Sequence, residues 1–136
     1  MCSFRAFADL NAKLVWADEP DWKADGGTDF DFRVGGHERF GCIAPTGEEY
    51  RYDAVYYDIV PARRIVYCYE MYEDENHISV SMATVDLVGR NGRTHLTMTE
   101  QGAYLDGLDT PAQRRAGVES QLDGLVRLLE AEELVH

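Results

Sequence analysis

Apolar and polar positions alternate with period two along most of this chain, and a helical period appears only near its two ends. The pattern therefore predicts a sheet flanked by helices. Near the start, Phe4, Phe7 and Ala8 share one face of a short helix over Phe4 to Asp9. Asp9 to Asn11 interrupts the run, and Ala12 to Ala17 reads as a second short helix that ends at Trp16. Asp18 to Asp29, with Pro20 and Gly26-Gly27, reads as a loop.

Strands follow. Phe30 to Val34 alternates apolar with charged, and Gly35-Gly36 supplies a turn where positive φ would penalise other residues. Glu38 to Ala44 returns, Pro45-Thr46-Gly47 turns the chain, and Glu49 to Val60 forms a long third strand ended by Pro61, which has no N–H for the ladder. Arg64 to Tyr72 is the fourth, and Glu73 to Asn76 is an acidic hairpin loop. The last two strands meet at Asn91-Gly92, a two-residue type I′ signal that sets Leu87 opposite Leu96 and Val85 opposite Met98. Earlier in the same strand the apolar parity is Ile78, Val80 and Met82, with Ser79 and Ser81 outward. Reconciling the two halves predicts a β-bulge near Ala83–Thr84. Six consecutive antiparallel strands result.

The final helix is predicted from Pro111 to about Glu133. Thr110 is its N-cap, Pro111 its first residue, and Gln113 completes a T-x-x-Q capping box. Val118, Leu122, Leu125 and Leu129 form one apolar stripe, while Arg114, Arg115, Glu119, Asp123, Arg127 and Glu130 supply polar faces. Gly117 and Gly124 lie on one side, and each costs about 1 kcal/mol against Ala. They let the helix approach the sheet or leave space for a ligand, and packing is the preferred reading.

Composition narrows the class of protein. A chain of 136 residues fits a single domain, 1–136, and 45% hydrophobic content suits an ordinary globular core. The formal charge of −12 repels phosphate backbones and anionic lipids, so neither nucleic acid nor a membrane surface is an expected partner. Cys2, Cys42 and Cys68 are odd in number and lack C-x-x-C spacing. They suit reduced thiols in a cytoplasmic protein, not a disulfide framework or a zinc site. No apolar run reaches membrane-spanning length.

Several spaced motifs carry a family resemblance. DFRVGGHE (Asp31–Glu38), DIVPARRIVYCYEM (Asp58–Met71), SVSMATVDL (Ser79–Leu87), THLTMTEQGAYLDG (Thr94–Gly107) and the R-x-x-G of Arg114–Gly117 together resemble the START/Bet v 1-like (SRPBCC) superfamily. Within it they are most similar to the branch related to the C-terminal domain of the Hsp90 ATPase activator. The resemblance runs from Phe4 to about Leu129. It implies an α+β helix-grip fold, a curved antiparallel sheet wrapped around a long C-terminal helix, with a cavity between them for a hydrophobic small molecule. Relatives usually begin with a β-strand, whereas only Met1-Cys2-Ser3 precedes the first helix here. Thr94 to Glu100 is therefore expected to be an open edge that another segment or subunit covers, a homodimer being the preferred reading. Val118 stands where relatives often carry an aromatic, which enlarges the cavity or reshapes the core.

Catalytic signals are weak. Ser79, Ser81 and Ser120 sit in no G-x-S-x-G elbow, and His37, His77, His95 and His136 lack metal-binding spacing and read as solvated. Two carboxylates are the candidates for acid–base chemistry. Glu100 continues the parity of Leu96 and Met98, and Asp58 shares that of Tyr52 and Tyr56, so either would face a cavity where burial raises a carboxyl pKa. For Glu100 the plainer reading is a hydrogen bond to backbone at the strand exit. Phe32, Phe40, Tyr67 and Tyr69 fall on inward parities, as do Met71, Met82 and Met98. With Trp16, Tyr56 and the helix residues Val118, Leu122 and Leu125 they are the predicted pocket lining. The leading expectation is a hydrophobic or amphipathic small molecule bound without cofactor or metal. The alternatives are a protein-interaction module and a cyclase-type enzyme using Glu100 or a tyrosine. No residue set compels a reaction, so a non-enzymatic role is preferred.

Overall fold

Asn91 and Gly92 both hold left-handed backbone, with φ of 52° and 75°. This mirror-image turn matches the natural twist of two strands, and it closes the longest hairpin of the molecule. In the computed structural model, which describes residues 3–9, 13, 23–24, 28–107 and 109–135, that hairpin joins β6 (Asn76–Arg90) to β7 (Arg93–Tyr104). Leu87 faces Leu96 and Val85 faces Met98, as the turn requires. The preceding elements are α1 (Ser3–Ala8), β1 (Lys23–Ala24), β2 (Asp29–Phe30), β3 (His37–Ile43), β4 (Glu49–Val60) and β5 (Arg64–Glu73), and α2 (Pro111–Val135) closes the chain. The second predicted short helix lies outside the described residues except at Lys13, which is helical. No helix among the described residues is long and apolar enough to cross a membrane.

The strands form one curved antiparallel sheet in the order β1-β3-β4-β5-β6-β7, with β2 also paired to β3. β7 ends the described sheet, on the edge expected from Thr94 to Glu100. Phe30 to Val34 does not continue as a strand. Asp31 donates its N–H to His37, Gly36 donates to Arg33, and Gly35 donates to Tyr56, so these donors are spent in a tight turn with Val34 exposed at its tip. A Cβ at Gly36 would lie 2.1 Å from the Asp31 carbonyl oxygen, so only glycine closes this turn.

The bulge predicted near Ala83–Thr84 is absent, because β6 and β7 pair without interruption from Ser79↔Tyr104 to Arg90↔Arg93. The irregularity falls earlier, where Met71 pairs with Ser79 but Tyr72 pairs with His77, leaving Ile78 as the extra residue. Ser79, Ser81, Ala83, Val85 and Leu87 consequently share the buried face, and Val80 and Met82 point outward. A second extra residue is Tyr57, between the pairs Tyr56↔Tyr67 and Asp58↔Val66.

The core joins Ala54, Tyr56, Ile65, Tyr67, Tyr69, Ala83, Val85 and Leu87 of the sheet to Ala6 and Phe7 of α1 and Leu125 of α2. Leu122, Leu128 and Leu129 pack against its margin, so the predicted stripe does face the sheet. Thr110 caps α2 as expected, its Oγ1 accepting the Gln113 N–H at 3.1 Å. The reciprocal half of the capping box is supplied by Asp109, whose Oδ1 accepts the Thr110 N–H at 2.7 Å.

Gly117 does not serve close packing. It is exposed, and a Cβ there would meet nothing within 4 Å. Gly117→Ala is thus expected to raise stability by about 0.5–1 kcal/mol, since alanine restricts the unfolded chain and meets no obstacle in the helix. Urea unfolding measures this, and a loss of stability would show that the glycine is needed.

Candidate functional site

The two bulges fix which side chains line the inner face, and the strand register sorts them into rows. One row runs Ile59, Ile65, Val85, Met98, and beside it Leu87 faces Leu96. The next row is Tyr56, Tyr67, Ala83, Glu100. Beyond it come Glu38, Ala54, Tyr69, Ser81, Gly102, and then Phe40, Tyr52, Met71, Ser79, Tyr104. The inner face is therefore aliphatic at the Asn91-Gly92 end and aromatic and polar at the other.

The tyrosines form a continuous cluster. Tyr52 lies 5.0 Å from Tyr69 between ring centroids, and Tyr67 lies 6.0 Å from both Tyr69 and Tyr56. Phe32 meets Tyr56 edge-on at 5.0 Å, and Phe40 sits 6.3 Å from Tyr52. Two polar anchors flank the cluster. At one side Glu38, only 1% exposed, accepts the Tyr56 hydroxyl at 2.5 Å and pairs with Lys13 Nζ at 2.5 Å. At the other side Arg114 donates to the Tyr69 hydroxyl at 3.0 Å, to Ser79 Oγ at 2.9 Å and to Asp109 at 2.6 Å. The first turn of α2 is thus tied to the polar end of the sheet, while its leucines cover the core.

Burial sets the protonation of these groups. It raises the pKa of Tyr52 and Tyr67 well above the ordinary phenol value and also lifts Tyr56 and Tyr69. The nearby charge of Glu38 adds to the shift at Tyr52, Tyr56 and Tyr67, and that of Glu100 at Tyr69. All four phenols remain neutral hydrogen-bonding groups across the physiological range. Desolvation also lowers the pKa of Lys13, with Glu38 opposing it.

Of the residues singled out from sequence, Phe32, Tyr56, Tyr67, Tyr69, Met71, Met98, Leu122 and Leu125 are brought together in the core and at its margin. Phe40 joins through Tyr52, and Val118 is half-buried on α2. Trp16 lies outside the described residues. Glu100 is half-buried on the inner face beside Ala83, as its parity predicted, and its charge helps to raise the pKa of Tyr69.

Two placements are corrected. Met82 is 49% exposed on the outer face, because the extra residue is Ile78 and the parity predicted for Val80 and Met82 is reversed. Asp58 also faces outward and accepts Arg64 Nε at 2.5 Å, because the bulge at Tyr57 breaks its parity with Tyr56. His77, read as solvated, instead stacks on Tyr72 with centroids 4.7 Å apart.

Sequence reasoning passed over Lys13, Glu38, Ser81 and Arg114. Glu38 shares the inward parity of Phe40, and Arg114 lies one turn before Val118 on the stripe of α2, so both signals were present. Ser81 needed the bulge at Ile78, and nothing local marks Lys13. The outer face carries a separate concavity of about 710 Å³, whose lining includes His37, Arg39, Val55, Tyr57, Cys68 and Val80.

The sequence profile of the family described as activator of Hsp90 ATPase homolog 1-like protein matches residues 4–130. A solved structure of an uncharacterised protein from Rhizobium leguminosarum is 41% identical, with a TM-score of 0.88 over 94% of this chain and 84% of that one. A crystal structure from Rhizobium loti is 40% identical, with a TM-score of 0.81 over 90% of this chain and 83% of that one. A protein from Chromobacterium violaceum, 24% identical, has a TM-score of 0.78 over 93% of this chain and 86% of its own, and shares the fold. No curated protein matches the chain.

Proposed function

This chain belongs to the activator of Hsp90 ATPase homolog 1-like family, and from that premise we propose that it is a cytoplasmic protein that binds a hydrophobic or amphipathic small molecule between the inner face of the sheet and α2. The observation that carries the reading is the division of that face. Ile59, Ile65, Val85 and Met98 form an aliphatic row, and the tyrosine cluster with Glu38, Glu100 and Arg114 lies directly beside it. A ligand with an apolar body and a polar end meets both environments in one orientation. Neutral phenols in this setting supply hydrogen bonds without excluding an apolar neighbour.

Native mass spectrometry of the purified protein, before and after incubation with fatty alcohols, tests the proposal. A retained or added small molecule in one-to-one ratio is the expected result. A bare mass throughout, with no change in melting temperature, would rule the ligand out.

A second reading, a protein-interaction module, is favoured by the outer face. There Val55, Cys68 and Met82 align across three strands, with Val80 and Tyr57 exposed nearby. Binding of a partner protein that Met82→Lys abolishes, with no small molecule taken up, would favour it.

A further inference from the structure

We infer that the polar end of the ligand is a primary amine, held as an ammonium at Glu100. The inference rests on the small-molecule reading above and names the chemistry of that same site. Its first support is charge balance on the inner face. Lys13 is matched by Glu38 at 2.5 Å, and Arg114 is matched by Asp109 at 2.6 Å while also donating to Tyr69 and Ser79. Glu100 has no cation within ion-pair distance among the described residues, so one negative charge is left over beside the tyrosines.

The second support is an orphaned hydroxyl. Ser81 is 3% exposed, and its Oγ has no hydrogen-bond partner among the described residues. It lies opposite Gly102, two positions beyond Glu100 on the same face. A Cβ at residue 102 would come within 2.6 Å of Ser81 Oγ and 3.2 Å of the Tyr104 hydroxyl, so only glycine leaves room there for the serine hydroxyl. Such an orphan is costly unless something enters to bond it.

An ammonium group has three N–H donors and no acceptor, which suits a carboxylate and a serine oxygen together, with aromatic rings beside the charge. A carboxylate ligand would meet Glu100 as a like charge. A hydroxyl ligand offers a single donor and no charge.

The test compares dodecylamine, dodecanol and dodecanoate by calorimetry, each below its micellar concentration, on the intact protein and on two variants. Dodecylamine is expected to bind roughly tenfold more tightly than dodecanol, the scale of one charge-assisted hydrogen bond, and dodecanoate more weakly than both. Glu100→Gln should collapse the amine-to-alcohol ratio to about one, and Ser81→Ala should reduce it several-fold. Dodecanoate binding as tightly as dodecylamine, or an unchanged ratio in Glu100→Gln, overturns the amine inference while leaving the small-molecule reading intact. No binding by any of the three overturns both.

Discussion

Raising the pH beyond 10 is expected to unfold the protein in one cooperative step, complete within about 1–3 pH units. The reason is the set of buried phenols. Tyr52, Tyr56, Tyr67 and Tyr69 all have folded pKa values above the ordinary value of 10.0, chiefly through burial. Between the unfolded and folded values the native chain keeps protons that the unfolded chain releases, so stability is complete below pH 10 and falls as pH rises. Each such phenol contributes a slope of about 1.4 kcal/mol per pH unit, and four contribute about 5–6. A domain with about 5–15 kcal/mol of stability is exhausted quickly on that slope.

Lys13 acts in the opposite sense. Its folded pKa is lowered from 10.5, so the unfolded state binds the extra proton, and stability rises with pH only up to that point. Above it the phenols act unopposed. Circular dichroism and phenolate absorbance, followed together through the alkaline range, should change at the same midpoint. Absorbance that rises well before the dichroism is lost would mean that the phenols ionise in the folded state.

Glu38→Gln is expected to destabilise the protein by about 3–5 kcal/mol. The carboxylate neutralises Lys13 at 2.5 Å and accepts the Tyr56 hydroxyl at 2.5 Å, with both charged side chains nearly excluded from water. Glutamine can still accept a hydrogen bond, but the ammonium is left buried without its counter-charge. The double variant Lys13→Met with Glu38→Leu removes both charges and replaces them with apolar groups of similar size. It should recover to within about 1 kcal/mol of the parent or exceed it, because replacing a buried ion pair whole is far milder than breaking it. Urea unfolding of the parent, both singles and the double closes the cycle. A single-variant loss under about 1 kcal/mol would mean that Lys13 reaches water, and the pair would then be a minor contributor.

What the chain reveals before folding follows from the range over which each rule acts. The turn at Asn91-Gly92, the cap at Thr110 and the limits of β4 are set by neighbouring residues, and all were legible. Glu100 was legible for a related reason, since Leu96, Met98 and Glu100 count inward from that turn without interruption. The facing of Ser79 and Ser81 was not. Apolarity pointed to Val80 and Met82 as the inner residues, but Arg114 from α2 bonds Ser79 and the tyrosine row packs beside Ser81, so a distant element decides the parity. Asp58 was misplaced by the same kind of error, a single extra residue in β4. The Lys13–Glu38 pair was hidden because a buried charge can be recognised only with its partner, and the two meet across the fold.

The extra residues also bear on how this chain can change length over generations. Removing Tyr57 would restore plain alternation, with Tyr56 still inward, Asp58 still outward and Ile59 still inward. Loss of Ile78 would keep the register in the same way, since His77 and Ser79 already face opposite sides, but it would remove a side chain that is only 3% exposed. Removing a residue from an unbroken run, such as Val66 between Ile65 and Tyr67, instead turns one part of the strand over and exchanges Tyr67 and Tyr69 for Cys68 and Glu70 at the core. Descendants of this sequence can therefore lose the exposed Tyr57 and keep the inner face in register, while the unbroken runs tolerate substitution but not a change in count.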